Sequence, residues 1–166
     1  MVAVPHDEGA TASRNAAGSS PQNGSGIPSR NGTGMEPIRV AALALIRDRR
    51  LLMVTARGRD VVYLPGGKID AGETARQAAA REAFEEVGVR IDPESLEPLF
   101  SVSVQAHGEP DGRLVDMQVF GGTTPDAPVA SSEVDALHWV TTADEYRCPP
   151  AGAETLRRLA ALDLID

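Results

Sequence analysis

Tryptophan occurs once in this chain, at Trp139, and cysteine once, at Cys148. A single cysteine excludes an intrachain disulfide. No histidine flanks Cys148, so it reads as a neutral, partly buried thiol rather than a nucleophile. With aromatics at 4% of residues, Val, Leu, Ile and Ala must fill the core. No apolar run approaches the roughly 18 residues that a membrane-spanning helix requires, and the first residues lack the basic-then-apolar order of a secretory signal. The expected location is therefore the cytoplasm, with no membrane partner. Positive charge is scarce as well. The formal net charge is −8, which disfavours a nucleic-acid partner, because that surface must be basic. An acidic protein still binds a polyphosphate when divalent cations stand between the two.

At 166 residues the chain suits one domain with a proper core. Positions 1–36 are rich in Gly, Ser, Asn, Ala and Pro and nearly devoid of large apolar side chains. Such a segment buries too little surface to offset its ordering entropy, and it is expected to be a disordered N-terminal tail. It carries Asp7, Glu8 and Glu36 against Arg14 and Arg30, so most of the negative charge falls on 37–166, the expected folded domain.

Within that domain, β-branched and apolar residues predict strands at Ile38–Ile46, Leu51–Val54 and Val61–Leu64, the last ending at Pro65. The Gly66-Gly67 pair reads as a tight loop where backbone approaches a ligand closely. Thr74 and Gln77 form the S/T-x-x-E/Q pattern of a helix start, and Gly88 supplies a left-handed stop. Ile91 is placed at a sheet edge and Asp92-Pro93 at a turn. Leu99–Ala106 and Leu114–Phe120 look like hairpin arms around the turn residues 107–113. A last strand is expected at Ala136–Val140 and an amphipathic helix at Ala153–Leu164. Strands interleaved with two helices imply an α/β fold, an α/β/α sandwich on a mixed β-sheet.

Chemistry concentrates between Gly66 and Val89. Glu82, Glu85 and Glu86 stand at i, i+3 and i+4, so their carboxylates leave one helix face within one turn. An acidic helix face alone is ordinarily solvated surface. Here it follows a glycine pair and a second acidic cluster, Asp70 and Glu73. Hard oxygen donors on a rigid helix suit Mg²⁺, with Mn²⁺ as the other fitting ion. Arg81 can offset the repulsion by pairing with Glu73 or Glu85.

The residues Gly67, Glu73, Arg81, Glu82, Glu85, Glu86, Gly88 and Val89 match G-x5-E-x7-R-E-U-x-E-E-x-G-U, where U is aliphatic. The stretch thus resembles the Nudix box, departing from it only at Ala83, where the family carries a larger aliphatic residue. The resemblance implies the α/β/α sandwich again, and a metal-dependent hydrolase, of MutT type, that cleaves a diphosphate linkage in a nucleoside di- or triphosphate or a related derivative. It implies that Glu85 and Glu86 bind metal and that Glu82 binds metal or acts on the attacking water. It further implies that Arg81 orients the glutamates, that Glu73 ties loop to helix, and that Gly66 or Gly67 contributes a carbonyl to the metal. Glu133, six residues before Trp139, is a candidate extra ligand or general base, the spacing being similar to that of MutT-type members.

Lys68 is a candidate phosphate contact, set against a solvated loop lysine, and His107 is a candidate substrate contact in the hairpin turn. His138 reads as structural. The proline that follows the box in ADP-ribose members and the tyrosine of dinucleoside-polyphosphate members have no counterpart here. The competing class is a Nudix-fold module that binds a nucleotide without hydrolysing it. Such modules generally lose box carboxylates, which this chain keeps. The expected partner is a small-molecule nucleotide; the oligomeric state is open, a dimer included.

Overall fold

The computed structural model describes residues 34–166, so the expected tail lies outside the described residues except at positions 34–36. The chain runs through β1 (Ile38–Arg47), β2 (Arg50–Ala56), β3 (Gly66–Lys68), α1 (Ala75–Val87), β4 (Glu97–Gln105), β5 (Leu114–Gly122), β6 (Val134–Val140) and α2 (Pro150–Ala161). Short 3-10 turns occupy Pro93–Ser95 and Thr142–Arg147.

The sheet is mixed, in the order β4-β5-β1-β2-β6, with β3 added to β1. β1 and β5 run parallel over Ile38–Leu45, whereas β4–β5 and β2–β6 pair antiparallel. β1 alternates apolar residues to both faces, as a central strand buried on both sides must. Ala41, Leu43 and Leu45 join Leu52 and Val54 of β2 against α1. Ala42 and Ala44 join Leu51 and Met53 against Leu156 and Leu159 of α2. One helix therefore covers each face, giving the α/β/α sandwich.

α1 starts at Thr74, whose hydroxyl accepts from Gln77 N–H while the Gln77 side chain accepts from Thr74 N–H. It stops at Gly88, which adopts φ 69°, a conformation that costs glycine little. Ala78, Ala79, Ala83 and Val87 form its buried stripe. Ala83 is fully buried, so the small residue at the box's variant position lets the helix backbone lie close to the sheet.

Four local expectations are corrected. Val61–Leu64 is not a strand; only Tyr63 makes an isolated bridge, to Val54. The glycine pair is instead strand β3, with Ala42 opposite Gly66 and Ala41 opposite Gly67. A Cβ on Gly66 would lie 2.6 Å from Ala42 Cα, so this pairing requires glycine. Ile91 joins no strand and packs on the α1-side core. The final helix begins at Pro150 rather than Ala153, since proline at the first helical turn needs no N–H partner, and it ends at Ala161.

β1 and β2 pair only beside their connecting turn, through Ile46–Leu51 and Arg47–Arg50. Away from the turn the two strands diverge, and β3 takes the freed edge of β1. Among the described residues no helix is long and apolar enough to cross a membrane.

Candidate active site

The glutamates of α1 converge on one arginine. Arg81 Nε and Nη2 donate to the two Glu73 oxygens, both at 3.0 Å. Its Nη1 reaches Glu82 Oε1 at 2.7 Å and Glu85 Oε2 at 3.2 Å, and Nη2 also donates to the Lys68 carbonyl at 3.1 Å. Arg81 therefore pairs with both expected partners and with Glu82 besides. The guanidinium holds the Glu73 carboxyl below its usual range, and the carboxylates push Arg81 upward in turn. Arg81 thus fastens the end of β3 and the loop after it to the helix.

Glu86 faces another way. Its Oε2 accepts from Gly66 N–H at 3.0 Å. Burial pushes its carboxyl up to about 7, against the pull of that hydrogen bond, and the charges of Glu82, Glu133 and Glu85 add to the rise. Glu133 is therefore within electrostatic reach of Glu86. Local hydrogen bonding explains how: Val129 N–H donates to Val87 O and Ser131 N–H to Glu86 O, laying the segment before β6 across the free end of α1. Glu133 O in turn accepts from Arg57 N–H.

Gly67 sits beside Glu82, and a Cβ there would overlap the Glu82 carboxylate. The glycine leaves that acid its place next to β3.

A cavity of about 470 Å³ opens beside these acids on the α2 face of the sheet. Gly66, Gly67, Lys68 and Glu86 line one part of it, while Ile38, Val40, Val115 and Met117 give an apolar wall. His107, at the β4–β5 turn, also lines it, as do Tyr63 and Arg59 from the segment between β2 and β3. Tyr63 hydroxyl lies 2.9 Å from His107 Nδ1. Sequence reasoning missed Tyr63 and Arg59 as site residues, because the strand expected at Val61–Leu64 does not by itself say that Tyr63 bridges to Val54 beside the cavity. His138 bonds Thr55 Oγ1 at 2.8 Å and Arg147 Nη2 at 3.2 Å in the β2–β6 region, a structural placement. Cys148 is half-buried near Met53, and burial pushes its thiol up to about 11.

The carboxylates of Glu82, Glu85, Glu86 and Glu133 are hard oxygen donors, the kind that fits a divalent cation. A half-buried carboxylate opposed by the charges of three others is a group that a cation would relieve. Among the described residues, no three acidic, His or Cys side chains are already gathered closely enough to hold a metal ion.

A family model described as NUDIX domain matches residues 37–161. A MutT-like protein of Streptomyces ambofaciens is 27% identical over 129 residues, covering 78% of this chain and 79% of that protein. A Mycobacterium tuberculosis protein provisionally named 8-oxo-dGTP diphosphatase 2 is 33% identical over 81 residues, 49% of this chain and 54% of its own length, so that match spans about half of the relative. Among solved structures, the E. coli ORF135 protein superposes with a TM-score of 0.60 at 26% identity, covering 79% of this chain and 94% of that one.

Proposed function

The chain belongs to the Nudix family of hydrolases, and from that premise we propose that it hydrolyses a diphosphate linkage in a nucleoside di- or triphosphate, or a related derivative, with Mg²⁺ or Mn²⁺. The observation that carries this reading is the position of Glu86. It is the one carboxylate of the α1 trio on the cavity lining, it is half-buried, and its oxygen is fixed by Gly66 N–H.

In this reading Glu82, Glu85 and Glu86 hold the cation, with a Gly67 carbonyl as a further donor. When bound, a divalent cation neutralises phosphate oxygens and lowers the pKa of an attacking water. Arg81 acts by position, keeping Glu82 and Glu85 aimed while Glu73 anchors it. Lys68 lies on the cavity lining, and among the described residues no carboxylate is within ion-pair distance of it, so its ammonium is available to a phosphate. Glu133, as general base, would take the proton from water. The apolar wall receives the organic part of the substrate, and similarity to the MutT-like protein and to the provisionally named 8-oxo-dGTP diphosphatase supports a nucleotide there.

The test is a release assay for phosphate and pyrophosphate, run with Mg²⁺ or Mn²⁺ on nucleoside di- and triphosphates, nucleotide sugars and dinucleotides. Cation-dependent release from a nucleoside di- or triphosphate is expected. Nucleotide binding without any release would instead support a sensing module.

A further inference from the structure

Beyond Lys68 and Glu86, the polar side chains on the cavity wall are Arg59, Tyr63 and His107. Two of them are bonded to each other. Tyr63 precedes β3 and His107 follows β4, yet the hydroxyl and Nδ1 are 2.9 Å apart, with ring centroids 6.1 Å apart and planes inclined at 56°. The contact joins two separate segments that line the cavity.

Each partner in this bond can donate or accept. When the phenol donates to Nδ1, the proton of a neutral imidazole resides on Nε2, which then presents a donor. When Nδ1–H donates to the phenol oxygen, Nε2 presents a lone pair. Burial pushes the Tyr63 phenol above its ordinary pKa, so it remains a hydroxyl, with both capacities, at neutral pH. The contrast with His138 is direct. There Nδ1 faces the Arg147 guanidinium, which only donates, so Nε2–H must point to Thr55 and the tautomer is fixed.

We propose that Tyr63 and His107 form a reversible donor–acceptor pair that recognises the heterocyclic base of a nucleoside polyphosphate, meeting a carbonyl edge with Nε2–H and an amino edge with the Nε2 lone pair. The proposal rests on the nucleotide reading above. His107 makes the contact, and Tyr63 is a positioning residue that holds the ring and exchanges polarity with it. A site of fixed hydrogen-bond polarity rejects the wrong partner by factors of roughly 10⁴, whereas apolar walls discriminate by about 10–200-fold. An apolar cavity with one reversible polar pair therefore tolerates bases of either polarity.

The full chain, with Mg²⁺, would be assayed on ATP, CTP, GTP, UTP and ribose 5-triphosphate, which lacks a base. The expected kcat/KM values for the nucleotides lie within about tenfold of one another and well above the base-free compound. His107→Ala should reduce the ratio of nucleotide to base-free kcat/KM by about tenfold, the loss of one hydrogen bond. His107→Gln, whose amide both donates and accepts, should keep more of it. Tyr63→Phe should lower the same ratio, and Tyr63→Phe/His107→Ala should lose no more than His107→Ala alone. A preference above about 100-fold for one base polarity in the unaltered protein would overturn the two-way reading. Equal slowing of nucleotides and ribose 5-triphosphate by His107→Ala would also overturn it, since that marks a structural role. Failure of the unaltered protein to cleave any nucleotide would remove the nucleotide reading itself, and this proposal with it.

Discussion

Gly66 N–H donates to Glu86 Oε2 across 3.0 Å, linking a three-residue strand to the last turn of α1. The bond is made in a place where burial and three neighbouring glutamates oppose the charge it stabilises. Glu86 is thus held in position at a cost in stability, and two consequences can be measured. Glu86→Gln keeps the shape and an oxygen for Gly66 but loses the charge. Its turnover is expected to fall by at least about 10²-fold with an unchanged circular dichroism spectrum. Near-normal turnover would remove Glu86 from the ligand set.

The same variant predicts a pH effect in cation-free buffer. A carboxyl raised from 4.5 to about 7 makes its full contribution to stability below pH 4.5 and loses it as pH rises through 7. Wild-type protein with EDTA should therefore be less stable than Glu86→Gln at pH 8, by on the order of 2 kcal/mol, and the gap should close towards pH 5. Thermal melts at both pH values decide it. A gap that stays constant with pH would show that the folded protein does not disfavour the Glu86 charge.

Glu133→Gln tests the acid outside the box. If Glu133 serves the attacking water, kcat should fall about 10–100-fold while KM changes little. Because its charge also raises Glu86, the variant should shift the pH dependence described above to lower pH. An unchanged kcat would return Glu133 to the role of surface residue.

Arg81→Lys keeps a positive charge but not the planar fork that spans Glu73, Glu82 and Glu85. The expected outcome is a loss of about 1–3 kcal/mol in urea unfolding, together with at least about tenfold lower kcat, because Glu82 and Glu85 lose their common anchor. A variant with wild-type kcat and stability would show that the fork is dispensable.

The two glycines of β3 should separate folding from activity. Gly66→Ala meets the backbone of β1, which cannot yield, and should cost about 1–3 kcal/mol. Gly67→Ala meets the Glu82 carboxylate first, a side chain that can shift, so its main effect should be on turnover. Unfolding curves and steady-state rates on both variants give the comparison, and equal stability losses would refute it.

Cys148 supplies the last test. A thiol pushed up to about 11 is roughly one part in a thousand thiolate at pH 8. Iodoacetamide should label the folded protein far more slowly than the urea-unfolded chain, and comparable rates would mean that the thiol is not shielded.

The legibility of this fold followed the range of the interactions. The Thr74–Gln77 capping box and the Gly88 stop are local, and both were readable from adjacent residues. The strand β1 was readable as an apolar, β-branched run, which a strand buried on both faces requires, and the β4–β5 hairpin was readable from its two arms and the turn residues between them. β3 was not, since three residues beginning with two glycines carry no periodicity and are extended only through pairing with β1. The acids of α1 were readable as one face. That Arg81 would bind three carboxylates at once while Glu86 turned to Gly66 depends on where β3 lies in space. The Tyr63–His107 contact was not readable either, because its partners are 44 residues apart.

The divergence of β1 from β2 bears on how the cavity admits its guest. The β1–β5 ladder belongs to one wall and the β2–β6 ladder to the other, and β1 and β2 share paired residues only at Ile46–Leu51 and Arg47–Arg50. Widening the space between them strains side-chain packing and the Leu43–Pro65 and Val54–Tyr63 links, but it breaks no rung of either main ladder. Residues 46–51 are where the two walls are paired, and Tyr63 and Pro65, each bonded to one of those walls, span the cleft between them.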